Sequence, residues 1–263
     1  MGTGVVGFNC PIKGKHIVGD TNPHIINVYQ RIQDGSIDEY SMRAYLEEAN
    51  TLLSNSSEDG YTYYREVKNR FNKDFDPYDF IFLSRTGFNG MMRFNRKGEW
   101  NIPFCKKKDR FAAPYITKIC NQISNVRKII QSDNWSFNCV PFEETIKRAK
   151  KGDIIYCDPP YYGRYADYYN AWEESDEERL HALLCETEAY FILSTWHHNA
   201  YRENPLIDKL WKGFNIHTKE HFYHSGAKLE NRNAMTEALI CNFELTNRDN
   251  DTQKIRVFKE ELF

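Results

Sequence analysis

Apolar residues in the first third of the chain recur at three- and four-residue steps, which is the spacing of one buried face of an α-helix. This pattern runs from residue 25 to residue 75 and is interrupted near Gly35 and over 55–60. It predicts a mostly helical region that is divided into several helices. The same spacing predicts further helices over 78–85 and 115–130.

Short apolar runs elsewhere predict β-strands. The run 16–20 ends in Asp20, and Asn22 and Pro23 after it are typical of a helix N-cap and first turn. In the second half of the chain, predicted strands alternate with predicted helices. The strands are at 136–140, 153–157, 190–194 and 214–218, and the helices are at 142–149, 176–186 and 201–211. This alternation predicts an α/β protein with a parallel sheet.

A different pattern lies between these two regions. Two short segments, 92–95 and 100–104, flank the turn-forming sequence Arg96-Lys97-Gly98-Glu99. A strand, a turn and a second strand in this order predict a β-hairpin.

The composition of the 263-residue chain is that of a folded globular protein, with 41% hydrophobic and 27% charged residues. The number of cysteines, seven, is odd, and no C-x-x-C pair occurs, so neither a disulfide framework nor a zinc knuckle is expected. Apolar runs are too short for a membrane span, and no secretory signal is visible. We therefore expect a soluble cytoplasmic protein.

Charge is distributed unevenly along the chain, although the formal net charge is only −2. Between Ser84 and Lys128 there are eleven basic and two acidic residues, a net charge of +9 that leaves −11 for the rest of the chain. A solvated surface accounts for many basic runs. This run also contains Phe88, Phe94 and Trp100, which a surface needing only solubility does not require. The segment therefore favours a polyanionic partner, and nucleic acid in particular.

The sequence Asp158-Pro159-Pro160-Tyr161 follows the predicted strand 153–157, at the end of a strand where open α/β sheets bind ligands. Two prolines remove two backbone N–H donors, which leaves carbonyl oxygens and a carboxylate as acceptors. Such a corner suits a primary amine on an aromatic ring, because the Asp158 carboxylate and the Pro159 carbonyl can accept its two N–H groups. Tyr161 offers a face on which a base can stack. The alternative interpretation is a proline-rich turn with a capping aspartate.

The order of Gly2-Thr3-Gly4, Asp20, a basic insert and Asp158-Pro159-Pro160-Tyr161 resembles that of the Dam-type (α-class) DNA adenine-N6 methyltransferases. The segments 87–98 and 101–104 resemble the DNA-reading hairpin of that family. The resemblance covers nearly the whole chain. It implies transfer of a methyl group from S-adenosylmethionine to N6 of adenine in double-stranded DNA. Asp158, Pro159, Pro160 and Tyr161 would then be the catalytic residues, and no metal is required.

The resemblance implies an α/β fold, a Rossmann-like methyltransferase sheet with an inserted, mostly helical DNA-recognition domain that carries the β-hairpin. Residues 1–34 and 131–246 would form the catalytic domain, residues 35–130 the target-recognition domain and residues 247–263 a polar tail. Family members have a strand and a further cofactor-binding motif before the glycine loop. We therefore expect the N-terminal strand of the sheet to be missing from a chain that begins at Met1.

Cofactor residues are carried over from the family by position. Gly2 and Gly4 match the cofactor loop, and Asp20 matches the acid that accepts hydrogen bonds from the ribose hydroxyls. Phe142 matches the residue that packs against the cofactor adenine. Asp158 matches the residue that touches both the methionyl end of the cofactor and the target amine, so that the two groups lie in line for displacement.

The resemblance also implies how DNA is bound. The target adenine has to rotate out of the duplex into the enzyme. Arg93 is the candidate for reading guanine in the major groove, at a palindromic site that contains GAT, for example GATATC. The other residues assigned to DNA are Asn89, Asn95, Arg96, Lys97, Pro103, Lys106, Lys107 and Arg110, of which Lys106, Lys107 and Arg110 are expected at phosphates.

Residues 1–6, 157–161 and 194–199 are further similar to modification enzymes of restriction systems within this family. This similarity implies either a modification enzyme with a cognate restriction endonuclease encoded nearby or a solitary bacterial or phage enzyme. Neither case implies a stable protein partner or a membrane.

Three alternatives remain open. A late chain start would leave a DNA-binding pseudoenzyme with a defective cofactor site. Related N-P-P-Y corners methylate a protein amide, which the aspartate and the basic hairpin disfavour here. Finally, His217, His221 and His224 have a spacing that suits metal ligation on a helix, but on the predicted strand His224 would face away from the other two.

Overall fold

The computed structural model describes residues 1–95, 97–163, 172–222 and 234–244. The chain divides into two compact units. The described part of the first is Met1–Pro141, and the second lies within Phe142–Lys254. Each unit has its own sheet and its own hydrophobic core.

The first unit is mostly helical and contains one pair of strands. In chain order its elements are α1 (Val5–Phe8), β1 (Lys15–Asp20), α2 (Pro23–Gln33), α3 (Glu39–Asn55), α4 (Tyr61–Asp74), α5 (Pro77–Thr86), α6 (Ala113–Ser132) and β2 (Asn134–Cys139). The helices predicted between residues 25 and 75 are confirmed, including both interruptions. The helices predicted over 78–85 and 115–130 are also confirmed and extend slightly beyond those bounds.

Local capping explains where the early helices begin. The Asn22 side chain accepts hydrogen bonds from the backbone N–H groups of His24 and Ile25, so the predicted N-cap of α2 is confirmed. At the start of α3, Asp38 accepts from the backbone N–H of Ser41, and the Ser41 hydroxyl accepts from the backbone N–H of Asp38. This reciprocal pair is a capping box, which satisfies two backbone donors at once.

The two strands of the first unit run parallel, and their carboxyl ends meet where Asp20 of β1 lies opposite Cys139 of β2. The Gln30 side chain of α2 donates to the Phe137 carbonyl of β2 at 2.9 Å. Helix α2 is thereby fixed against the strand pair. Asp20 stands at the point where the chain leaves a strand and enters a helix.

A buried carboxylate links three helices. Asp79 of α5 is 1% exposed and accepts two hydrogen bonds from the Arg70 guanidinium of α4, at 2.7 and 2.6 Å. The Tyr45 hydroxyl of α3 donates to the same carboxylate at 2.6 Å. Burial, together with the Asp79 charge, raises the pKa of Tyr45. These partners are what makes a buried aspartate tolerable.

Helix α6 is the longest described helix, with 20 residues. Its buried side chains, among them Ile116, Ile123 and Ile130, recur with helical spacing along one face. Neither this helix nor another in the described ranges is long and apolar enough to cross a membrane.

The second unit is built on a sheet of four described strands. Its elements are α7 (Phe142–Ile146), β3 (Ile154–Cys157), α8 (Glu174–Glu186), β4 (Tyr190–Asn199), a π-helical turn (Ile207–Trp211), β5 (Asn215–Phe222) and β6 (Ala234–Cys241). The strand order is β3-β4-β6-β5. Strands β3 and β4 are parallel, whereas β6 runs antiparallel to both of its neighbours.

The predicted parallel sheet is therefore correct for β1 with β2 and for β3 with β4, and wrong for β5 and β6. Strand β6 had no predicted counterpart, because the alanine, methionine, glutamate and leucine in residues 234–241 favour helix over strand. Pairing with β4 on one side and β5 on the other outweighs that local preference.

The predicted helix 201–211 is wrong over its first half. The Asn199 side chain accepts hydrogen bonds from the backbone N–H groups of Tyr201 and Arg202 at 2.9 and 3.0 Å. These hydrogen bonds to the Asn199 side chain stabilise a turn, so the backbone here does not form a helix.

Strand β5 lies at one edge of the described sheet and is almost fully exposed. Seven of its eight residues are exposed, among them His217, Lys219 and Glu220, and Ile216 is half-buried. The predicted strand 214–218 is confirmed and continues to Phe222.

Candidate functional site

Residues 158–161, here termed the proline corner, lie directly beyond the carboxyl end of β3, as predicted. The last pair between β3 and β4 joins Cys157 to Leu193. Asp158 is exposed, and the two prolines and Tyr161 are half-buried. Since neither proline has an N–H group, the corner presents acceptors with few competing donors.

Strand β4 continues past the end of β3 and pairs there with β6. Trp196 lies opposite Glu237 and His198 lies opposite Thr236, so His197 is the extra residue of a β-bulge. Bulges bend a strand and redirect its side chains, and they are frequent beside active sites. This one belongs to the strand that adjoins the proline corner.

Two contacts hold the loop after Tyr161. Trp196 is buried and donates its Nε1–H to the Tyr162 carbonyl at 2.8 Å. Arg202 donates to the Gly163 carbonyl at 2.9 Å, and its guanidinium lies 5.4 Å from the centroid of the Trp196 ring. The loop is therefore fixed to β4 and to the turn that follows β4.

Tyr161 has a partner on an interior strand. Its hydroxyl donates to Oε1 of Glu237, a half-buried residue of β6, at 3.2 Å. Burial raises the pKa of Tyr161, and the negative charges of Glu237 and Asp158 raise it further, whereas the Ser194 side chain acts in the opposite direction.

The carboxyl group of the proline corner is also perturbed. Although part of Asp158 is exposed, the protein around its carboxyl group removes some of its hydration and so raises its pKa, and the Glu237 charge acts in the same direction. Burial and the Asp158 charge raise the pKa of Tyr156 on β3 to about 12. A carboxylate with a raised pKa is a better proton acceptor than an ordinary aspartate.

Gly2 and Asp20, which the resemblance assigns to the cofactor, are in direct contact in the first unit. The Gly2 N–H donates to Oδ2 of Asp20 at 2.9 Å, and the Met1 ammonium lies 3.1 Å from the same oxygen. The Asn22 N–H donates to Oδ1 at 2.8 Å. Gly2 has a φ of +54°, and a Cβ at this position would meet no atom within 4 Å. Open space therefore adjoins an oriented carboxylate.

Gly4 is constrained by packing. Its φ is +76°, and a Cβ would lie 2.4 Å from the ring of Phe8, which is buried against Tyr29 and Trp135. Glycine is thus required here by the core of the first unit, whatever its role toward a cofactor.

Phe142, the remaining residue assigned to the cofactor, begins α7 in the second unit. Its half-buried ring packs against Trp172 with centroids 5.5 Å apart and borders the core of that unit. Core packing accounts for an aromatic residue at this position.

The segment predicted as a DNA-reading hairpin folds back on itself through isolated antiparallel bridges. Gly87 bridges Phe104, and Phe94 bridges Trp100. The longer strands predicted over 92–95 and 100–104 are not formed in the described part of the segment.

The turn of this segment is closed by Asn95. Its Oδ1 accepts hydrogen bonds from the backbone N–H groups of Lys97 and Glu99 at 2.9 and 3.1 Å, and its Nδ2 donates to the Glu99 carboxylate at 2.7 Å. The side chain of Asn95 is therefore engaged within the turn. Arg96, which the sequence assigned to DNA, lies outside the described residues.

The base of the segment is anchored to helices. The Trp100 indole donates to the Tyr64 hydroxyl at 2.9 Å, and that hydroxyl donates to the Ile102 carbonyl at 2.6 Å. On the side of α2, the His24 ring stacks on Phe94. The basic segment is thus a supported element of the first unit. Of the residues assigned to DNA, Asn89, Lys97, Pro103, Lys106 and Lys107 are exposed, and Arg93 and Arg110 are half-buried.

A basic cavity of about 270 Å³ lies beyond this segment in the same unit. Its lining consists of Arg85, Lys107, Asp109, Arg110, Tyr115, Lys118 and Ile119. Four cations face one acid, and within the described residues the buried Nε of Arg110 has no hydrogen-bond partner. The sequence assigned Lys107 and Arg110 to DNA, but not Arg85, Tyr115 or Lys118. The residues that line this cavity come together only because α5 and α6 approach each other in the fold. A count of charges along the sequence does not show this.

The histidines considered for metal binding do not gather in the part of the chain that is described. His217 and His221 both lie on β5, and His224 falls outside the described ranges. No group of three or more histidine, cysteine, aspartate or glutamate residues suited to a metal ion occurs among the described residues.

Comparison with known proteins identifies relatives over most of the chain. The type II methyltransferase M.FokI of Planomicrobium okeanokoites is 29% identical over 250 residues, which is 90% of this chain and 38% of the relative. The retron Ec67 DNA adenine methylase of Escherichia coli is 28% identical over 77% of this chain and 67% of the relative. The DNA adenine methylase of Haemophilus influenzae is 30% identical over 61% of this chain and 52% of the relative. The matches thus span less than two thirds of the first and third relatives.

A sequence profile described as D12 class N6 adenine-specific DNA methyltransferase matches residues 1–225. This range includes the glycine loop, the basic segment and the proline corner. The mixed α/β fold with a strand leading into that corner is consistent with such an enzyme. The chain therefore belongs to the D12 class of N6 adenine-specific DNA methyltransferases.

Proposed function

We propose that the protein is a site-specific DNA adenine methyltransferase that transfers a methyl group from S-adenosylmethionine to N6 of a flipped adenine. The proline corner carries this proposal, because Asp158 and Tyr161 follow the end of β3 and Glu237 supports Tyr161 from β6. Family membership and relatives named DNA adenine methylases support both the reaction class and the base.

The corner has the acceptors that an exocyclic amine requires. The Asp158 carboxylate and the Pro159 carbonyl would each accept one N–H of the amine, which draws the nitrogen out of conjugation and frees its lone pair. Tyr161 would stack on the base, a contact of roughly 1–3 kcal/mol. Asp158, whose pKa is raised, is suited to accept the proton that the amine must lose.

S-adenosylmethionine, when bound, supplies an electrophilic methyl group on a positively charged sulfur. Transfer of that methyl group to the amine lone pair would leave the C–S electron pair on sulfur and one surplus proton on nitrogen. The surplus proton on nitrogen passes to Asp158 and then to solvent.

The residues near the glycine loop fit the ribose end of this cofactor. Open space at Gly2 allows a ligand to lie against the backbone, and the oriented Asp20 carboxylate can accept from vicinal hydroxyls. Gly4 and Phe142 are carried over by position alone.

DNA would be bound through the basic surface of the first unit. Four cations in the basic cavity suit backbone phosphates, which provide affinity without sequence information. Arg93 remains the candidate for reading guanine. Exposed Phe88, next to Asn89, adds an apolar surface of the kind that can enter a disturbed base step. Residues 35–130 as a recognition domain and a GAT-containing palindrome are parts of the same proposal.

The experiment is a methylation assay with tritiated S-adenosylmethionine and plasmid DNA from a host that lacks adenine methylation. We expect label in DNA, recovered as N6-methyladenine after digestion to nucleosides. Label in added protein would instead support an amide methyltransferase. DNA binding without any transfer would support a pseudoenzyme, and either result would overturn the proposal.

A further inference from the structure

An acidic residue stands on an interior strand of the four-stranded sheet. Glu237 lies between Thr236 and the fully buried Ala238, and it faces Trp196 on the neighbouring strand β4. Partial burial of a carboxylate costs free energy unless a hydrogen-bond donor compensates for lost hydration. The Tyr161 hydroxyl, 3.2 Å away, is such a donor.

The backbone around Tyr161 explains why this contact matters. Two prolines before Tyr161 restrict the backbone, but they leave the torsions of the tyrosine side chain free to rotate. The orientation of the Tyr161 ring therefore depends on the contacts that its hydroxyl group and its two faces make. Glu237 fixes the far end of the ring from an element that is paired on both sides.

We infer that Glu237 is a positioning residue for methyl transfer, which holds the Tyr161 ring in the orientation on which the target base stacks. This inference rests on the proposed function, because only there does Tyr161 stack on a base. It predicts that the hydrogen bond, more than the charge, is the contribution of Glu237. Glutamine at position 237 retains an oxygen that can accept a hydrogen bond from the Tyr161 hydroxyl but carries no charge. The Glu237→Gln variant therefore separates the contribution of the hydrogen bond from that of the charge.

The test is a double-mutant cycle in the full chain with tritiated S-adenosylmethionine and unmethylated plasmid DNA. Glu237→Ala and Tyr161→Phe should each lower kcat roughly three- to tenfold, the value of one hydrogen bond. The double variant should be no slower than the single variants, because both changes remove the same contact. Glu237→Gln should retain most of the activity, and the KM for the cofactor should be unchanged throughout.

The matched control is Glu220→Ala, which removes an exposed carboxylate from the adjacent strand β5 and should leave kcat unchanged. Thermal unfolding of each variant checks that the fold is retained, and Glu237→Leu, which fills similar space without an acceptor, replaces Glu237→Ala if that variant is unstable. Three results would overturn the inference. The losses of the single variants could multiply in the double variant, Glu237→Gln could be as slow as Glu237→Ala, or Glu237→Ala could keep the wild-type kcat. An inactive wild-type protein would contradict the proposed function instead.

Discussion

The imidazole ring of His24 stacks on the ring of Phe94, with centroids 4.8 Å apart and planes inclined by 28°. His24 lies in the first turn of α2, close behind Asp20, and Phe94 belongs to the basic segment assigned to DNA. The rings of Phe71 and Phe80 lie within 5.0 and 5.9 Å of the same imidazole. One histidine therefore joins the helix that follows the candidate cofactor residues to the candidate recognition segment.

This environment makes stability depend on pH. Burial lowers the pKa of His24 to about 4, from 6.5 in an unfolded chain, and a backbone hydrogen bond with Gly98 acts in the opposite direction. Between these values the folded state binds fewer protons than the unfolded state. The stabilisation is therefore complete above pH 6.5 and decreases as the pH falls to 4, by up to about 3 kcal/mol.

Urea unfolding at pH 7 and at pH 4.5 measures this effect. His24→Phe retains an aromatic ring and removes the titrating group, so its pH dependence should be weaker than that of the wild type. His217→Phe, at an exposed position of β5, should behave like the wild type. An unchanged pH dependence in His24→Phe would show that another group is responsible.

Substitution of Asp158 should separate catalysis from DNA binding. Asp158→Asn keeps the size of the side chain but removes the charge, and methyl transfer should fall roughly a hundredfold or more. DNA affinity should be nearly unchanged, since the proposed phosphate contacts lie elsewhere, on the basic surface of the first unit. Steady-state transfer and fluorescence anisotropy measure the two quantities, with Glu220→Gln as the control. Wild-type turnover in Asp158→Asn would refute the proposed mechanism.

Arg93 and Lys107 should differ in what their loss does to DNA binding. Arg93→Ala should remove discrimination at one guanine, worth roughly 1–3 kcal/mol. Lys107→Ala should weaken binding to all sequences and reduce the slope of log K against log salt by roughly 0.9. Base-substituted duplexes at several salt concentrations measure both, with exposed Lys151→Ala as the control. Equal losses on every duplex would reduce Arg93 to a phosphate contact.

Loss of the cationic partner of the buried Asp79 carboxylate should destabilise the helical region more than loss of a surface ion pair does. Arg70→Ala leaves Asp79 without its cationic partner and should lower the free energy of unfolding by roughly 3 kcal/mol or more. Arg43→Ala removes an exposed partner of Glu47 at 3.5 Å and should cost less than about 1 kcal/mol. Urea unfolding measures the free energy of unfolding of both variants. Similar losses in the two would contradict the prediction that the buried ion pair matters more than the exposed one.

Some of this architecture could be predicted because its causes are local. Asn22 and Pro23 specify the start of α2 within a few residues of Asp20, and an apolar run followed by Asp158 and two prolines specifies a strand end. The proline corner after β3 and the acid that ends β1 are accordingly where the sequence places them.

Other features depend on contacts between distant residues. Glu237 meets Tyr161 across 76 positions of sequence, on a strand whose composition favours helix. The basic cavity gathers Arg85 from α5 and Lys118 from α6, so only tertiary packing reveals it. The only sequence signal for the contact of Glu237 with Tyr161 was a glutamate among the apolar or small residues of 234–241.

Strand β5 is charged and forms one edge of the sheet among the described strands, which has a consequence for the behaviour of the protein in concentrated solution. An exposed strand edge invites another molecule to extend the sheet, which is a common first step of aggregation. In β5 a molecule approaching in that way would have to desolvate Lys219 and Glu220 and the imidazole of His217. Replacing these side chains with valine would make the same strand hydrophobic and prone to aggregate, without altering the buried core of the unit.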